Sequence, residues 1–384
     1  MAKYDVIVAG LGAMGSAALA ELARRGARVL GLERFEIGHD RGSSHGGTRI
    51  IRLGYFEHPS YVPLVRRAYD LWRDLEKATG ETILTVTGIV EMGLPDSTLV
   101  TGTLASSRLH GLPHQVLDAA ALMQRYPQFK IPKDFVAVIQ PDGGVLEPEK
   151  AIGAQLALAK AAGAEIRTGE KVLAIEPTAG GVRVTTENGM VEAGKVIVAA
   201  GAWASTLLPE DALPLHVTRQ ALIWVAPKEP ALFTADRFPV FMIEGEGGGI
   251  YYGFPLQDGA LKIALHHHVR EKVDPEIYDR AVSAADEALI RPALAAFLPA
   301  ADGPRVATKT CLYTMTPDED FVIGPLPGMP HIIVASPCSG HGFKFSPAIG
   351  EIVADLAAKG ETRHDISRFS PARFWGFAPR GRDG

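Results

Sequence analysis

The chain has 384 residues, long enough for two domains, and its hydrophobic fraction of 47% and charged fraction of 22% are typical of a globular protein. The net charge of −5, without a long basic run, argues against nucleic acid or an anionic membrane as a partner. No segment approaches the roughly 18 consecutive apolar residues of a membrane span. With two cysteines and no secretory signal pattern, we expect a cytoplasmic protein without a disulfide framework.

A glycine-rich turn lies near the N-terminus. The sequence Gly10-Leu11-Gly12-Ala13-Met14-Gly15 follows the apolar run from Tyr4 to Ala9 and precedes an Ala- and Leu-rich stretch. This order predicts a strand, a tight turn and a helix. A second predicted strand, 28–32, ends at Glu33, at the spacing of a dinucleotide fingerprint. We therefore predict that the helix N-terminus binds a pyrophosphate and that Glu33 accepts hydrogen bonds from a ribose. The turn alone does not decide between NAD and FAD.

Hydrophobic periodicity predicts further helices and strands along the chain. Helices are expected from about residue 60 to Gly80 and over 149–162, 274–297 and 346–359. Strands are expected within 82–92, 166–200, 217–265 and 331–335, and the strand at 196–200 should return parallel to the first one.

Dinucleotide-type segments thus lie at the start, the middle and the end of the chain, with strand-rich segments between them. We predict two discontinuous domains with a ligand site between them. Residues 1–85, 140–215 and 310–384 would bind the cofactor. Residues 86–139 and 216–309 would form a strand-rich substrate domain that covers it.

Three further clusters combine small residues with residues able to act chemically. They are Arg41 to Arg52, Thr308 to Phe321 with Cys311, and Ser339 to Lys344. Each suits a loop against a large planar cofactor or an anion, but taken alone the first could equally be a solvated basic loop.

These clusters occur in order with Gly201-Ala202-Trp203, Tyr251 to Pro255 and Leu261-Lys262. From Tyr4 to about Phe369 the series resembles the monomeric sarcosine oxidase and N-methyltryptophan oxidase family, FAD enzymes of the glycine/D-amino-acid oxidase group. The resemblance implies an α/β fold, α+β overall, with a Rossmann-like FAD-binding domain. It implies a monomer that oxidises an N-methyl amino acid with O2 to formaldehyde, the primary amino acid and H2O2. Sarcosine is the first expectation, while N-methyltryptophan and cyclic imino acids such as proline or pipecolate stay open.

The resemblance also implies roles for individual residues. Cys311 would attach FAD covalently through its sulfur to the 8α-methyl carbon. Lys262 would lie next to flavin N5 and promote reaction with O2. Arg52 and Lys344 would clamp the substrate carboxylate. His266, Tyr252 and Tyr313 would surround the substrate, and His45 and Arg49 would face the flavin ring. The remaining cofactor contacts implied are Gly10, Gly12, Ala13, Met14, Gly15, Glu33, Arg34, Ser43, Ser44, Thr48, Val172, Gly201, Trp203, Gly340, Gly342, Phe343 and Lys344.

Some alternatives remain at this point. Cys311 could be an ordinary buried thiol, and the protein could be an NAD-dependent dehydrogenase or a flavin-binding subunit without activity. The run His266-His267-His268 could suggest a metal, but consecutive residues of a strand point to opposite faces, so we expect none. Gly54, Phe56 and Cys338 depart from the family pattern and put the side-chain preference of the substrate pocket in doubt.

Overall fold

The computed structural model describes residues 3–210, 212–336 and 338–375. Residues 1–2, 211, 337 and 376–384 of the expected cofactor domain lie outside this described part. In chain order its strands are β1 (Tyr4–Ala9), β2 (Val29–Leu32), β3 (Arg49–Ile51), β4 (Leu84–Val86), β5 (Ile89–Gly93), β6 (Gln115–Asp118), β7 (Val136–Gln140), β8 (Gly144–Leu146), β9 (Glu165–Arg167), β10 (Val172–Thr178), β11 (Gly181–Thr186), β12 (Gly189–Val198), β13 (His216–Val225), β14 (Val240–Glu244), β15 (Ile250–Gly253), β16 (Leu261–Leu265), β17 (Arg305–Met315), β18 (Val322–Leu326) and β19 (Met329–Ser336). Its α-helices are α1 (Ala13–Arg24), α2 (Val62–Thr79), α3 (Thr98–Leu109), α4 (Ala119–Arg125), α5 (Pro148–Ala161), α6 (Ala204–Leu207), α7 (Ala284–Phe297) and α8 (Ser346–Lys359).

The first large sheet carries the glycine-rich turn. Its order is β10-β11-β12-β1-β2-β9, with β19 also paired to β12 and β18 to β19. β1 lies between β2 and β12, parallel to both, so the predicted return of the strand at 196–200 beside the first one is confirmed. Helices α1, α5 and α8 pack together against one face of this sheet, because its parallel strands are nearly continuous apolar runs that need cover, and strands β10, β11 and β18 contribute to the core on the other face.

The second large sheet has the order β17-β13-β16-β15-β14-β5-β7-β6 and is mostly antiparallel. β17 pairs with β13 along its length, with Cys311 opposite Gln220. The expected domain boundary at residue 310 therefore falls inside a strand of this sheet, which continues to Met315. A small third sheet, β3-β8-β4, holds residues Arg49–Ile51 of the arginine-rich segment Arg41 to Arg52.

Most predicted helices are present at nearly the expected bounds. The helix predicted from residue 60 begins as a 3-10 turn, Pro59–Tyr61, and continues as α2 until Gly80, which adopts a left-handed conformation with φ 75°. The helix predicted over 274–297 is wrong in its first ten residues. Ser283 caps α7 by exchanging hydrogen bonds with Asp286, so the helix begins at Ala284. Within the described residues, no helix is long and apolar enough to cross a membrane.

Candidate active site

One long cavity lies between the first sheet and the second. It begins where the carboxyl ends of β1, β2 and β12 meet, the usual ligand position in an open parallel sheet. It extends past Cys311 to Arg52, His266 and Lys344, and it holds about 1920 Å³ of empty space, its mouth included. The cavity thus connects the predicted dinucleotide turn with the predicted substrate residues.

The three glycines of the turn have different reasons to lack a side chain. A Cβ on Gly10, whose φ is +93°, would lie 2.6 Å from the carbonyl oxygen of Ala199, and one on Gly15 would lie 1.7 Å from that of Gly10. These two positions let β1, α1 and the end of β12 approach closely. A Cβ on Gly12 would meet only the Ser44 hydroxyl at 3.6 Å, so this position is open towards the cavity. Ala13 and Met14, at the start of α1, also border the cavity, whereas Gly15 does not.

Glu33 at the end of β2 is buried and borders the cavity beside this turn. Its carboxylate accepts hydrogen bonds from the backbone N–H groups of Leu11 (2.9 Å) and Phe35 (3.1 Å). Burial alone would raise the pKa of Glu33, but these bonds and His39 hold the pKa below its ordinary value. Glu33 is therefore ionised at neutral pH and can still accept hydrogen bonds from a ribose.

Several other predicted cofactor residues border the same part of the cavity. The Arg34 guanidinium lies 4.6 Å from the centroid of the Trp203 ring and forms an ion pair with Glu276 (2.9 Å). Ser44 accepts a hydrogen bond from the N–H of Ala13 (3.3 Å), which joins the arginine-rich segment to the start of α1. Predicted residues that also border the cavity are Ser43, Arg49, Val172, Gly201, Gly340, Gly342 and Phe343.

Cys311 lies near the middle of the cavity and is 3% exposed. Burial raises the pKa of its thiol, while the nearby Arg49 and Lys262 lower it. Cys338 also borders the cavity, and its sulfur lies 3.4 Å from the Ser336 hydroxyl. The chain therefore has two thiols at the cavity, and only Cys311 has cationic neighbours that favour its thiolate.

Lys262 on β16 is buried behind the wall of the cavity. Its ammonium donates hydrogen bonds to the carbonyls of Gly46 and Thr48, both at 2.9 Å, and to the Thr48 hydroxyl at 3.1 Å. Burial, with Arg49 nearby, lowers the pKa of Lys262 well below its usual value. Lys262, Thr48 and His45 do not border the cavity directly, so the loop 45–48 separates the ammonium from it.

His45 belongs to the same loop and is also buried. Its Nε2 lies 3.1 Å from the Gly42 carbonyl, and its Nδ1 has no hydrogen-bond partner. Burial and the positive charge of Arg49 lower the pKa of His45 to about 3, so the imidazole is neutral. Of the two residues expected to face a flavin ring, only Arg49 borders the cavity and carries a charge there.

Arg52 and Lys344 border the far end of the cavity together. Arg52 is 2% exposed, and its Nη2 donates to both carboxylate oxygens of Glu57, at 2.8 and 2.7 Å. The Lys344 ammonium donates to the His341 carbonyl (2.8 Å), and burial lowers the pKa of Lys344 to about 7. Arg52 and Lys344, which are far apart in the sequence, thus lie at the same end of the cavity, and the Glu57 carboxylate lies beside Arg52.

Aromatic and histidine side chains form the remaining wall of this end. Tyr252, Tyr313 and His266 border the cavity with Met242. Gly340 packs so closely here, with φ +83°, that a Cβ would lie 2.4 Å from the Tyr313 ring. Burial lowers the pKa of His266 well below its ordinary value, so this imidazole adds no positive charge at neutral pH. Of the three departures from the family pattern, only Cys338 borders the cavity; Gly54 and Phe56 contact Arg52 from behind.

The three consecutive histidines go to three different places. They follow β16 in a turn rather than continuing the strand, and His267 and His268 have positive φ values of 62° and 41°. The expectation that these histidines point to alternate faces of a strand was therefore wrong, because they lie in a turn. His267 lies 3.4 Å from Glu319 and His268 lies 2.8 Å from Asp286, whereas His266 faces the cavity. Among the described residues no group of three or more potential ligands could hold a metal ion.

The sequence analysis missed three residues of this end: Glu57, Glu91 and His341. Glu57 and His341 border the cavity, and Glu91 lies directly behind Arg52. The signal that could have revealed Glu91 is a single acidic residue within the apolar strand Ile89–Gly93, where every residue is buried. No comparable pattern marks Glu57, which lies in a loop.

Comparison with known proteins decides which dinucleotide the cavity accepts. The family described as FAD dependent oxidoreductase matches residues 5–356. The chain belongs to this family. The NAD-dependent alternative is thereby wrong, and the cofactor is FAD.

Individual relatives match over almost the whole chain. The monomeric sarcosine oxidase of Streptomyces avermitilis is 42% identical, covering 96% of this chain and 97% of the relative. The N-methyl-L-tryptophan oxidase of Salmonella heidelberg is 37% identical, covering 97% and 99%. Among solved structures, the open form of NikD, an unusual amino acid oxidase essential for nikkomycin biosynthesis, has a TM-score of 0.84 at 29% identity, covering 96% and 97%. The predicted α/β fold with a Rossmann-like cofactor domain is confirmed.

The residues of the cavity fit FAD. A side chain at position 12 would fill the space before the N-terminus of α1, and Gly12 leaves this space open. The backbone N–H groups at that N-terminus suit a pyrophosphate. Glu33 is placed for a ribose, and the cavity continues without interruption to Arg49, Cys311 and Tyr313. The cradle is therefore long enough to bring the ring system of a dinucleotide to the residues at its far end.

Proposed function

We propose that this protein is an oxidase that demethylates an N-methyl amino acid, sarcosine first, with O2 as the electron acceptor. The products would be formaldehyde, the primary amino acid and H2O2. The observation that carries the proposal is the meeting of the dinucleotide turn, Cys311 and the cation pair Arg52 and Lys344 in one cavity. The names of the relatives at 37–42% identity support the same reaction, and those called monomeric support a monomer.

When bound, FAD would supply the acceptor for a hydride equivalent from the N-methyl carbon, and Cys311 would hold it covalently. The residues proposed to hold it are those of the glycine-rich turn with Glu33, Arg49 and Trp203, and all of these except Gly15 border the cavity. Burial outweighs the other effects and raises the pKa of the Cys311 thiol, but Arg49 and Lys262 partly offset this and so favour the thiolate, the form of a thiol that acts as a nucleophile.

Arg52 and Lys344 would bind the substrate carboxylate and so fix the position of the amine. Arg52 presents a planar fork to the carboxylate and Lys344 a point charge. Glu57 occupies Nη2 of Arg52, so the substrate carboxylate must replace it or bind beside it. Holding the substrate in one orientation lowers the entropic part of the barrier.

No side chain has to remove a proton from the amine if the amine binds in its neutral form. The cations Arg49, Arg52 and Lys344 border this end of the cavity, and they disfavour a protonated amine. Tyr252, Tyr313 and the neutral His266 would exclude water around the reacting carbon. Lys262 would stabilise the negative charge that develops on O2, acting across the loop 45–48.

N-methyltryptophan is the second candidate substrate. The relatives that carry this name match 97% of the chain. The wall near the substrate end contains Cys338 and Met242, which a larger substrate side chain would contact.

The experiment that tests the proposal is an absorption spectrum of the purified protein during anaerobic addition of sarcosine or N-methyl-L-tryptophan. Loss of the yellow colour with one amine identifies the substrate, and recovery on admitting air shows that O2 is the acceptor. Colour that remains with acid-precipitated protein supports the covalent bond. A yellow protein that neither amine reduces would contradict the proposal and favour a flavin-binding subunit without this activity.

A further inference from the structure

Glu91 is a fully buried acid that the proposed reaction does not use. It lies in the middle of β5, and its neighbours Val90 and Met92 pack into the core of the second sheet. Its register partner on β14 is Met242, which borders the cavity. Glu91 therefore points to the cavity side of the sheet, where its carboxylate lies 3.7 Å from Nε of Arg52. Neither carboxylate oxygen has a hydrogen-bond partner.

A buried carboxylate without hydrogen bonds requires a functional or structural reason, because its desolvation is costly. The groups that face Glu91 come from three elements. Arg52 and Glu57 come from the segment after β3, the Thr103 hydroxyl from α3, and Lys344 from the turn before α8. The register neighbours on β14 and β7, Met242 and Val138, are apolar.

The charges of these groups balance only while the cavity holds no further anion. When all four groups are ionised, Arg52 and Lys344 give two positive charges, and Glu57 and Glu91 give two negative ones. A substrate carboxylate adds a third negative charge in a region shielded from water. Glu57, whose side chain is 18% exposed, can move towards solvent, but Glu91 is enclosed. Glu91 can reduce its negative charge only by binding a proton, and burial raises its pKa to about 7.

We infer that Glu91 is a positioning residue for Arg52 that takes up one proton from solvent when a carboxylate binds at Arg52. The proton is bound by a carboxylate oxygen of Glu91, and no other bond changes. This inference rests on the proposed function, because it requires a carboxylate ligand at Arg52. The consequence is that the affinity for a carboxylate falls as the pH rises, because Glu91 is then ionised before binding and must take up a proton.

Isothermal titration calorimetry of the holoenzyme with methoxyacetate tests the inference. Methoxyacetate has the shape and carboxylate of sarcosine but an ether oxygen in place of the amine, so it cannot be demethylated through a nitrogen lone pair. Titration in two buffers of different ionisation enthalpy gives the number of protons taken up per ligand. The wild-type protein should take up close to one proton at pH 8 and much less at pH 6, and its affinity should fall by up to about tenfold per pH unit above 7.

Glu91→Gln separates this proton from any bound by Lys344. The variant should take up less than half as many protons at pH 8 and bind methoxyacetate about tenfold more tightly than wild type there. At pH 6 the two proteins should bind alike. Asp96→Asn, which removes an exposed carboxylate four residues after Met92 in the same segment, should behave as wild type.

Two results would overturn the inference in distinguishable ways. If Glu91→Gln binds methoxyacetate more weakly at both pH values with an unchanged proton count, Glu91 only supports the structure around Arg52. If the wild-type protein does not bind methoxyacetate at all, the carboxylate site of the proposed function is absent as well. Zero proton uptake by the wild-type protein at pH 8 contradicts the inference even if the variant does not fold, whereas uptake by the wild type is assigned to Glu91 only by its loss in Glu91→Gln.

Discussion

Replacing Arg52 by alanine tests the carboxylate site most directly. Among the described residues that border the cavity, Arg52 is the only arginine that is nine-tenths buried or more. Its Nη2 already donates to both carboxylate oxygens of Glu57, at 2.8 and 2.7 Å, so this guanidinium can bind a carboxylate in its buried position. Hydrogen bonds to a charged partner contribute about 1.5–3 kcal/mol. We therefore expect kcat/KM for sarcosine to fall by about 10- to 150-fold.

The matched substrate for this experiment is sarcosinamide, which keeps the N-methyl amine but has no negative charge. Steady-state oxygen consumption with both substrates gives a ratio of kcat/KM values. Arg52→Ala should lower this ratio by at least about tenfold, because the lost interaction involves only the carboxylate. Arg52→Lys, which keeps the charge but loses the fork, should give an intermediate ratio. An equal loss for both substrates would refute the role of Arg52 in binding the carboxylate.

The same substitution also has a cost for stability, which needs its own control. Arg52→Ala leaves Glu57 and Glu91 without their cation, and removal of one partner of a buried ion pair costs about 3–5 kcal/mol. Flavin content and the thermal midpoint should therefore be measured for each variant before its kinetics. Adding Glu91→Gln to Arg52→Ala should restore part of the lost stability, because it removes one of the two carboxylates left unbalanced.

The remaining predictions concern the cofactor. Cys311→Ser should release all flavin into the supernatant on acid precipitation, while Cys338→Ser should keep it in the pellet; flavin retained by the first variant would exclude Cys311 as the anchor. Lys262→Met should slow reoxidation by O2 in stopped-flow by about 100-fold, and an unchanged rate would remove its role. Gly15→Ala should lower flavin content and stability by about 1–3 kcal/mol, because its Cβ would lie 1.7 Å from a carbonyl oxygen. Gly153→Ala, in an exposed and open position of α5, should instead be neutral or stabilising.

Local signals predicted the parts of the fold that depend on neighbouring residues. Helix α8 has the predicted bounds and is followed by Gly360 in a left-handed conformation. The glycine-rich turn and its parallel strands were predictable from the spacing of the glycines in the sequence. That spacing is required because backbone atoms approach Gly10 and Gly15 too closely for any side chain. The segment 274–283 was not predictable in this way. Its apolar residue Ile277 supported the helical periodicity, but it is 82% exposed, so it contributes nothing to a core.

The substrate end was only partly predictable, because it is made by segments far apart in sequence. The resemblance supplied Arg52 and Lys344, but nothing in the sequence around Arg52 shows that Glu91 lies behind it. The resemblance also predicts Lys262 next to flavin N5 and His45 facing the ring; these roles stay predictions, while the structure shows the Lys262 ammonium hydrogen-bonded to the loop 45–48. Such positions depend on the packing of the loop 45–48 against β16, which is a tertiary contact without a local sequence pattern.

The distance between Arg52 and Lys344, the two cations proposed to bind a carboxylate, depends on a cluster of buried aromatic residues. Trp72 of α2 donates a hydrogen bond to the Lys344 carbonyl (2.9 Å), and the Tyr55 hydroxyl lies 2.7 Å from Nδ1 of His341. These contacts hold the turn that carries Lys344 against the segment that carries Arg52. Trp72, Tyr55 and His341 do not have to contact a substrate for this effect. Their packing energy offsets the repulsion between the like charges of Arg52 and Lys344 and keeps these two side chains close together. The same closeness creates a positive potential that attracts a carboxylate and lowers the pKa of the attached amine, which favours the neutral amine that the proposed oxidation requires.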